Sequence, residues 1–378
     1  MSQTQRAKRI RQSPADSGQP NVNCQLPTAD CRLNSALTRV LVVDDSSFMR
    51  TSLTHILKSD GSLDVVGTAV DGQDAVQQVK QLSPDVVLLD IEMPGMDGLA
   101  ALAHIMTECP TPVLMLSGLS KRDAAIAIKA LDHGAVDFIS KPSGVISFDI
   151  DKLSSELITK VKIAASARLH KIDLRLPAES YQRARPKLET RKSIVIIGAS
   201  TGGPAAVAEV LSTLPRDISA TLIVIQHMGP QFVPSFVERL QWGCSLKISI
   251  ARKGQTISPA SALIAPGAYH TSIVQNGHTK KIRLSGQASP NRVCPSIDYA
   301  MESVATAYGE GALGVVLTGV GTDGARGMKA IKDAGGSTIA QDESSCVVFG
   351  MPKAAIEMGC VDEIVPLPRI AQTILRMI

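Results

Sequence analysis

The sequence predicts two α/β domains, each built on a parallel sheet. Short apolar runs rich in Val, Ile and Leu alternate with helix-like segments, and a first block repeats this βα pattern five times between Arg39 and Ala167. Such runs are typical of parallel strands that are buried on both faces. With 378 residues and 44% hydrophobic content, the chain is long enough to form two separate cores.

Each strand-like run of the first block is followed by a segment with helical periodicity. The last helix, Asp151–Ala167, places Leu153, Leu157 and Val161 on one stripe, which suits packing against a sheet. The five predicted strands are Val40–Val43, Val65–Ala69, Val86–Leu89, Val113–Leu116 and Val136–Ile139.

Composition marks the expected domain boundaries. Residues 1–37 are rich in Gln, Ser, Asn and Pro with little periodic hydrophobicity, which predicts a disordered N-terminal tail. A basic linker is predicted at residues 161–191, where Pro177 and Pro186 interrupt a charged stretch. The first folded domain is therefore expected at residues 38–160 and the second at residues 192–378.

The second block predicts a larger, Rossmann-like α/β domain of three layers. Its turn Asn276-Gly277 joins two strand-like runs and is a strong hairpin signal, so the sheet is expected to be mixed at one edge. Three of its predicted parallel strands are Ile194–Ile197, Leu222–Ile225 and Leu313–Leu317.

Charge, cysteine content and hydropathy exclude several classes of protein. The net charge of +4 comes from the tail and the linker, so the rest of the chain is slightly acidic and predicts no nucleic-acid surface. No apolar run is long enough to span a bilayer and no signal peptide is recognisable, which predicts a cytoplasmic protein without membrane insertion. Seven cysteines without a C-x-x-C pair predict reduced thiols and no structural metal.

Five polar residues follow strands of the first block. Asp44 and Asp45 come after the first strand and Asp90 after the third, while Ser117 and Lys141 follow the fourth and fifth. Parallel strands bring such residues to one sheet edge, where clustered carboxylates are tolerated when they bind a divalent cation such as Mg²⁺. Each residue alone is more typical of a helix cap, a turn or a surface loop. Together they provide what phosphoryl transfer to a carboxylate requires.

These residues lie in motifs that closely resemble response-regulator receiver domains. The motifs are Asp44-Asp45, Leu89–Gly98, Leu116-Ser117-Gly118 and Ser140-Lys141-Pro142. The resemblance implies a doubly wound, five-stranded parallel sheet and a chemotaxis histidine kinase as phosphodonor. It also implies roles for single residues: Asp90 as phosphoacceptor, Asp45, Asp90 and the backbone carbonyl of Glu92 as Mg²⁺ ligands assisted by Asp44, and Ser117 and Lys141 as sensors of the phosphoryl group.

Three polar residues follow strands of the second block in the same way. Ser200, His227 and Asp323 should meet at one edge of the sheet, where they suggest a nucleophile, a base and a residue that orients the base. Gly198-x-Ser200-x-Gly202 matches the nucleophile-elbow pattern, but the order Ser, His, Asp differs from that of α/β-hydrolases. The chemistry is therefore expected on a different fold.

Other interpretations of these residues remain open from the pattern alone. A glycine-rich turn between strand and helix also binds dinucleotide phosphates, although Ser200 occupies the place of the second glycine of that motif and no P-loop lysine follows. His227 alone is typical of a strand-end histidine, and Asp323 alone of a helix N-cap. Their combination with Ser200 favours catalysis.

The surrounding segments strongly resemble the protein-glutamate methylesterases of bacterial chemotaxis. The segments are Ile197–Pro204, Gln226-His227-Met228, Ile264–Gly267, Leu317–Ala325 and Ser345–Pro352. The resemblance implies Ser200 as nucleophile, His227 as general base, Asp323 as orienting residue, and backbone amides near Thr201 and Val320 as oxyanion donors. Val320 replaces the methionine of many relatives, and Cys294 replaces a frequent arginine near the expected substrate helix.

The implied protein is a phosphorylation-regulated serine hydrolase. It would remove methyl groups from glutamyl γ-methyl esters on the cytoplasmic helices of chemoreceptors, release methanol, and deamidate receptor glutamines, with no cofactor in the catalytic domain. The unphosphorylated receiver is expected to cover the strand edge that carries Ser200 and His227. Two rival hypotheses are a nucleic-acid-binding response regulator and a receiver-controlled adaptor without catalytic activity. The basic linker would be the contact in the first, but no helix-turn-helix or basic face with interspersed aromatic residues supports it. The complete Ser, His and Asp set opposes the second.

Overall fold

The computed structural model describes residues 37–118, 120–141, 150–167, 193–277, 279–286 and 293–378. The predicted N-terminal tail, apart from its last residue, and most of the predicted linker lie outside these residues. No helix in the described part of the chain is long and apolar enough to cross a membrane.

The first sheet has five parallel strands, with a helix after each strand. Its elements are β1 (Thr38–Val43), α1 (Ser47–Lys58), β2 (Leu63–Ala69), α2 (Gly72–Leu82), β3 (Val86–Asp90), α3 (Gly98–Glu108), β4 (Val113–Ser117), α4 (Lys121–Asp132), β5 (Asp137–Ser140) and α5 (Ile150–Ser166). The strand order is β2-β1-β3-β4-β5 and all neighbours are parallel, which confirms the predicted fold of this block.

Alternate residues of the strands form two separate apolar layers, because successive side chains of a strand point to opposite faces. Val42, Leu88 and Leu114 are buried with Leu57 of α1 and Val161 of α5 on one face. The opposite face is covered by α2, α3 and α4. Since Val161 is fully buried, the beginning of the predicted linker belongs to α5 and to this domain.

The second domain is larger. Its elements are β6 (Ile194–Ala199), α6 (Gly203–Thr213), β7 (Thr221–Gln226), α7 (Val233–Gly243), β8 (Lys247–Ile250), β9 (Ser261–Ile264), β10 (His270–Asn276), β11 (Thr279–Ser285), α8 (Ile297–Tyr308), β12 (Ala312–Val316), α9 (Ala325–Asp333), β13 (Ser337–Gln341), α10 (Met351–Glu357), β14 (Glu363–Val365) and α11 (Leu367–Met377). Helices α6, α7 and α11 cover one face of its sheet, and α8, α9 and α10 cover the other, which gives the three predicted layers.

All pairs of neighbouring strands in this seven-stranded sheet are parallel, in the order β14-β13-β12-β6-β7-β9-β8. The predicted mixed edge is therefore wrong. The Asn276-Gly277 hairpin does form, but β10 and β11 make a two-stranded sheet of their own. The reason is that Ile273 and Ile282, which face each other across the hairpin, are buried with α8 and do not extend the main sheet.

The first strand of this domain, β6, lies at the centre of its sheet. The chain continues from β6 to β7 on one side and returns later to β12 on the other. At such a topological switch point the loops after the two central strands diverge and leave a crevice at their carboxyl ends. The loops after β6, β7 and β12 carry the three residues that the sequence singled out.

Candidate active site and phosphoacceptor site

Ser200 occupies a tight turn between β6 and α6. Its amide donates to the carbonyl of Thr318 (3.1 Å), and its own carbonyl accepts from Gly203 (2.8 Å). Gly202 has a φ of +73°, and a Cβ there would approach the Val347 side chain to 2.7 Å, so both its conformation and its surroundings require glycine. The turn thus places the serine side chain at the carboxyl end of the central strand.

His227 connects Ser200 to Asp323. The His227 Nδ1 lies 3.2 Å from Ser200 Oγ, and Nε2 lies 2.9 Å from Asp323 Oδ2. An ionised carboxylate only accepts hydrogen bonds, so Nε2 carries the proton and donates to Asp323. Nδ1 is then free to accept the hydroxyl proton of Ser200. The three residues that the sequence predicted to meet therefore form a continuous hydrogen-bonded chain.

The carboxylate of Asp323 is 5% exposed and has several donors. The amides of Ile297 (2.8 Å) and Asp298 (3.0 Å) and the hydroxyl of Ser296 (3.1 Å) donate to it from the beginning of α8. Burial alone raises the pKa of Asp323, but the hydrogen bonds from His227 and from the two amides outweigh burial, so its pKa lies below the ordinary value. Asp323 is therefore ionised at neutral pH.

Gln226, the last residue of β7, also supports the site, and sequence reasoning did not single it out. Its buried side-chain amide donates to the carbonyls of Ser200 (2.8 Å) and His227 (3.1 Å). Gln226 thus links the backbone of Ser200 to that of His227, which are two of the three hydrogen-bonded residues. The signal available in the sequence was its position directly before His227. A glutamine at the end of a strand is also common without such a role.

The backbone amides near Thr201 and Val320 border the nucleophile. A Cβ on Gly319, the residue before Val320, would approach the Ser200 Cβ to 2.6 Å, so the β12–α9 loop lies against the serine. Among the described residues, no backbone carbonyl accepts a hydrogen bond from the amide of Thr201 or Val320. Both amides are therefore available as donors to a developing oxyanion.

At the first sheet, three carboxylates meet as the sequence predicted. Ligand oxygens of Asp44, Asp45 and Asp90 all lie within 4.8 Å of one another. The Lys141 Nζ lies 2.8 Å from Asp44 Oδ2 and 2.7 Å from Asp90 Oδ2. This set of oxygen donors fits a hard divalent cation.

Asp90 lies at the end of β3 and is almost fully buried. Burial raises its pKa to about 6, because the effect of desolvation, aided by the charge of Asp44, outweighs the contact with Lys141 and the hydrogen bond from the Glu92 amide. The buried Ser117 ends β4, the neighbouring strand, and its carbonyl accepts the Lys141 amide (2.8 Å). The predicted sensing residues thus lie at the same sheet edge as Asp90.

The two domains contact each other within one compact unit that comprises residues 37–378. Phe138 of β5 packs against Phe232, which directly precedes α7, with 4.3 Å between ring centroids. Arg239 of α7 donates to the carboxylate of Asp132 at the end of α4 from two nitrogens: Nε lies 2.8 Å from Oδ2 and 3.0 Å from Oδ1, and Nη2 donates to Oδ1. The interface therefore combines a buried aromatic pair with a more exposed ion pair.

Strand β5 reaches the immediate surroundings of the nucleophile. Asp137 Oδ2 accepts a hydrogen bond from the hydroxyl of Thr201 (3.2 Å), the residue next to Ser200. Farther along the same strand, the Ser140 hydroxyl accepts from the amide of Gln231 (2.9 Å). Neither contact was predicted, because contacts between domains leave no periodic signal in a sequence.

Comparisons with known proteins match each of the two domains to a family. Residues 195–374 match the CheB methylesterase family, and residues 40–149 match the response regulator receiver domain. A protein-glutamate methylesterase/protein-glutamine glutaminase of Pyrococcus abyssi is 42% identical over 344 residues, which cover 90% of this chain and 93% of the relative. One of Pseudomonas aeruginosa, with the same name and the number 2, is 45% identical over 339 residues, covering 89% and 96%. With identities of this level over nearly the full length of both chains, the protein belongs to the CheB methylesterase family and carries a receiver domain before its methylesterase domain.

Proposed function

We propose that this protein hydrolyses glutamyl γ-methyl esters on the cytoplasmic helices of chemoreceptors, deamidates receptor glutamines, and is controlled by phosphorylation of its receiver. The observation that carries the proposal is the hydrogen-bonded chain from Ser200 through His227 to the buried Asp323. The names of its relatives, which describe a methylesterase and a glutaminase, support the same assignment.

Ser200 would act as the nucleophile. Its Oγ attacks the ester carbonyl while its proton passes to His227 Nδ1, and the negative charge of Asp323 stabilises the imidazolium that forms. The amides of Thr201 and Val320 would stabilise the oxyanion of the tetrahedral intermediate. When this intermediate collapses, His227 returns the proton to the departing methoxide, which leaves as methanol.

A glutamyl ester of Ser200 then remains. His227 removes a proton from a water molecule, whose oxygen attacks this ester, and the serine is released with a carboxylate on the receptor. A glutamine side chain would pass through the same intermediate with ammonia as the leaving group. The catalytic residues require no cofactor for either reaction.

In the receiver, Asp90 would accept the phosphoryl group from a chemotaxis histidine kinase. Asp45, Asp90 and the backbone carbonyl of Glu92 would hold Mg²⁺, with Asp44 assisting, and the cation would offset the negative charge of the incoming phosphoryl oxygens. Ser117 and Lys141 would contact the phosphoryl group. Lys141 forms ion pairs with Asp44 and Asp90 in this structure. Its ammonium would therefore have to gain the phosphoryl group as a new partner when Asp90 is phosphorylated.

The domain boundaries predicted above are part of this proposal: residues 1–37 as a tail, 38–160 for the receiver, 161–191 as a linker and 192–378 for the catalytic domain, except that α5 carries the receiver on to Ser166. Cytoplasmic location follows from the proposed substrate and kinase. Nucleic acid has no role in the proposed reaction.

The test is methanol release from methylated receptor by the whole chain, with and without a small phosphodonor and Mg²⁺. Wild-type protein should release methanol faster with the phosphodonor, and Ser200→Ala should release almost none. Ser212→Ala is the matched control, because Ser212 lies at the exposed end of α6 and donates only to the Glu209 carbonyl. Equal methanol release by Ser200→Ala and wild-type protein would contradict the proposal.

A further inference from the structure

The loop that carries Asp323 has little intrinsic rigidity. Gly321 and Gly324 lie on either side of the aspartate with φ values of +82° and +102°, and glycine gains the most backbone freedom when a loop loosens. Helix α9 follows directly, and its N-cap residue, Gly324, has no side chain to cap it. The position of Asp323 must therefore be fixed from outside this loop.

Asp298 supplies the missing cap. It lies in the first turn of α8, is 1% exposed, and its Oδ1 accepts hydrogen bonds from the amides of Gly324 and Gly327, both at 2.8 Å. These are amides of the first turn of α9, which need an acceptor from outside the helix. The carboxylate of Asp298 thus holds the residue directly after Asp323.

The support is reciprocal, because Asp323 accepts from the first turn of α8. Its Oδ1 accepts the amide of Asp298, and its Oδ2 accepts the amide of Ile297 together with the His227 Nε2 proton. Asp323 therefore caps α8, to which Asp298 belongs, and Asp298 caps α9, which begins just after Asp323. Both also lie where helix dipoles favour negative charge.

Two buried carboxylates so close together would repel each other without a counter-charge. Arg326 of α9 provides one: its Nε lies 3.0 Å from Asp298 Oδ2. The guanidinium pairs with Asp298 and the imidazole with Asp323, so each carboxylate has its own cationic or potentially cationic partner.

We propose that Asp298 is a positioning residue for the hydrolysis, because its exchange of helix caps with Asp323 holds the Asp323 carboxylate in line with His227. This inference rests on the proposed esterase function. Ser296 assists, since its hydroxyl donates to Asp323 and caps α8 by accepting the amide of Tyr299. Asp298 itself does not contact the reacting atoms.

Two variants of Asp298 separate positioning from charge. Asp298→Ala removes Oδ1, the acceptor for both amides of α9, and we expect kcat for methanol release to fall about 100-fold, the cost of a displacement of about 1 Å in a catalytic group. The KM for methylated receptor should change less than about threefold, because substrate contacts are retained. Asp298→Asn keeps Oδ1 as acceptor, and we expect it to retain kcat within about fivefold of wild type.

The matched control is Asp362→Ala. Asp362 accepts from the amide (2.9 Å) and hydroxyl (3.0 Å) of Thr338 and pairs with Lys332, as Asp298 pairs with Arg326, but at the amino end of β13, opposite the site. Its loss should lower thermal stability with kcat within about threefold of wild type. Should Asp298→Ala not fold, Ser296→Ala provides the test, with an expected two- to tenfold fall in kcat from the loss of one hydrogen bond to Asp323.

Three outcomes would overturn the inference while wild-type protein remains active: full kcat in Asp298→Ala, an equal loss of kcat in Asp362→Ala, or full kcat in Ser296→Ala where Asp298→Ala does not fold. A loss confined to KM would also overturn it. Absence of methanol release from wild-type protein would instead contradict the proposed function.

Discussion

The ion pair between Asp132 and Arg239 offers a direct test of whether the receiver restrains the catalytic domain. Neutralising Asp132 by Asp132→Asn removes the charge that Arg239 contacts across the interface. Asp132 is the last residue of α4, where the helix dipole disfavours negative charge, so the substitution should not destabilise the receiver itself. The change therefore acts on the contact between domains.

The magnitude follows from the exposure of the pair. The side chain of Asp132 is 45% exposed and that of Arg239 is 19% exposed, so solvent screens the interaction. Exposed ion pairs stabilise by about 0.2–1 kcal/mol, and two hydrogen bonds to one carboxylate place this pair near 1 kcal/mol. If contact with the receiver hinders access to Ser200, the population of molecules with an accessible active site should rise about fivefold in Asp132→Asn. The rate of methanol release by the unphosphorylated protein should rise by the same factor.

The assay is the initial rate of methanol release from methylated receptor, measured with and without a phosphodonor. Asp132→Asn should raise only the unphosphorylated rate, and the increase should shrink at high salt because added ions screen the pair in wild-type protein. The control is Asp333→Asn, which removes another exposed acid at the end of a helix, paired with Lys329 within α9. If unphosphorylated Asp132→Asn releases methanol at the wild-type rate, this ion pair does not restrain the catalytic domain. A lower rate would indicate that the receiver activates the enzyme.

Three other predictions concern the two sites. Ser200→Ala and His227→Gln should each lower kcat by about four to six orders of magnitude, and Asp323→Asn somewhat less, as measured by methanol release. Asp90→Asn should form no acid-labile phosphate with a small donor, and excess chelator should prevent labelling of the wild-type protein. Because the pKa of Asp90 rises from 3.8 to about 6 on folding, the protonated acid is favoured in the native state, and the contribution of Asp90 to the free energy of unfolding should fall as pH increases between these values. Calorimetry without divalent cations should show that the free energy of unfolding of wild-type protein falls relative to that of Asp90→Asn over this pH range.

The parallel strands explain why so much of both sites could be predicted from the sequence. Residues that directly follow parallel strands reach the same sheet edge whatever the details of packing, so Ser200 and His227 needed only correct strand assignments to be brought together. The same holds for Asp44 and Asp90 in the receiver. Asp323 lies farther from the end of its strand, β12, and its loop brings it to the same edge as Ser200 and His227. Strand ends differed from the prediction by at most two residues in these cases, which leaves the edge unchanged.

Residues that act across elements escaped prediction. Asp298 looks like an ordinary acidic residue in the first turn of a helix, and only the packing of α8 beside α9 turns its carboxylate toward Gly324. Asp137 belongs to a short strand and gives no sign of its contact with Thr201. The prediction of a mixed edge was wrong for a different reason: a turn signal predicts that two strands pair, as β10 and β11 do, but does not say which surface their apolar side chains cover.

Strand β5 connects the phosphoacceptor site to the nucleophile by direct contacts. The chain passes from Asp137, which accepts from Thr201, to Ser140, which accepts from Gln231, and then to Lys141, which bonds Asp90. A continuous series of contacts couples two sites only if one of its elements can adopt two arrangements and the state of each site changes the balance between them. In the proposed function, Lys141, which directly follows β5, is the residue whose partners would change on phosphorylation. A shift of this strand would therefore alter the contacts of Asp137 and Ser140 with the catalytic domain at the same time as it alters the phosphoacceptor site.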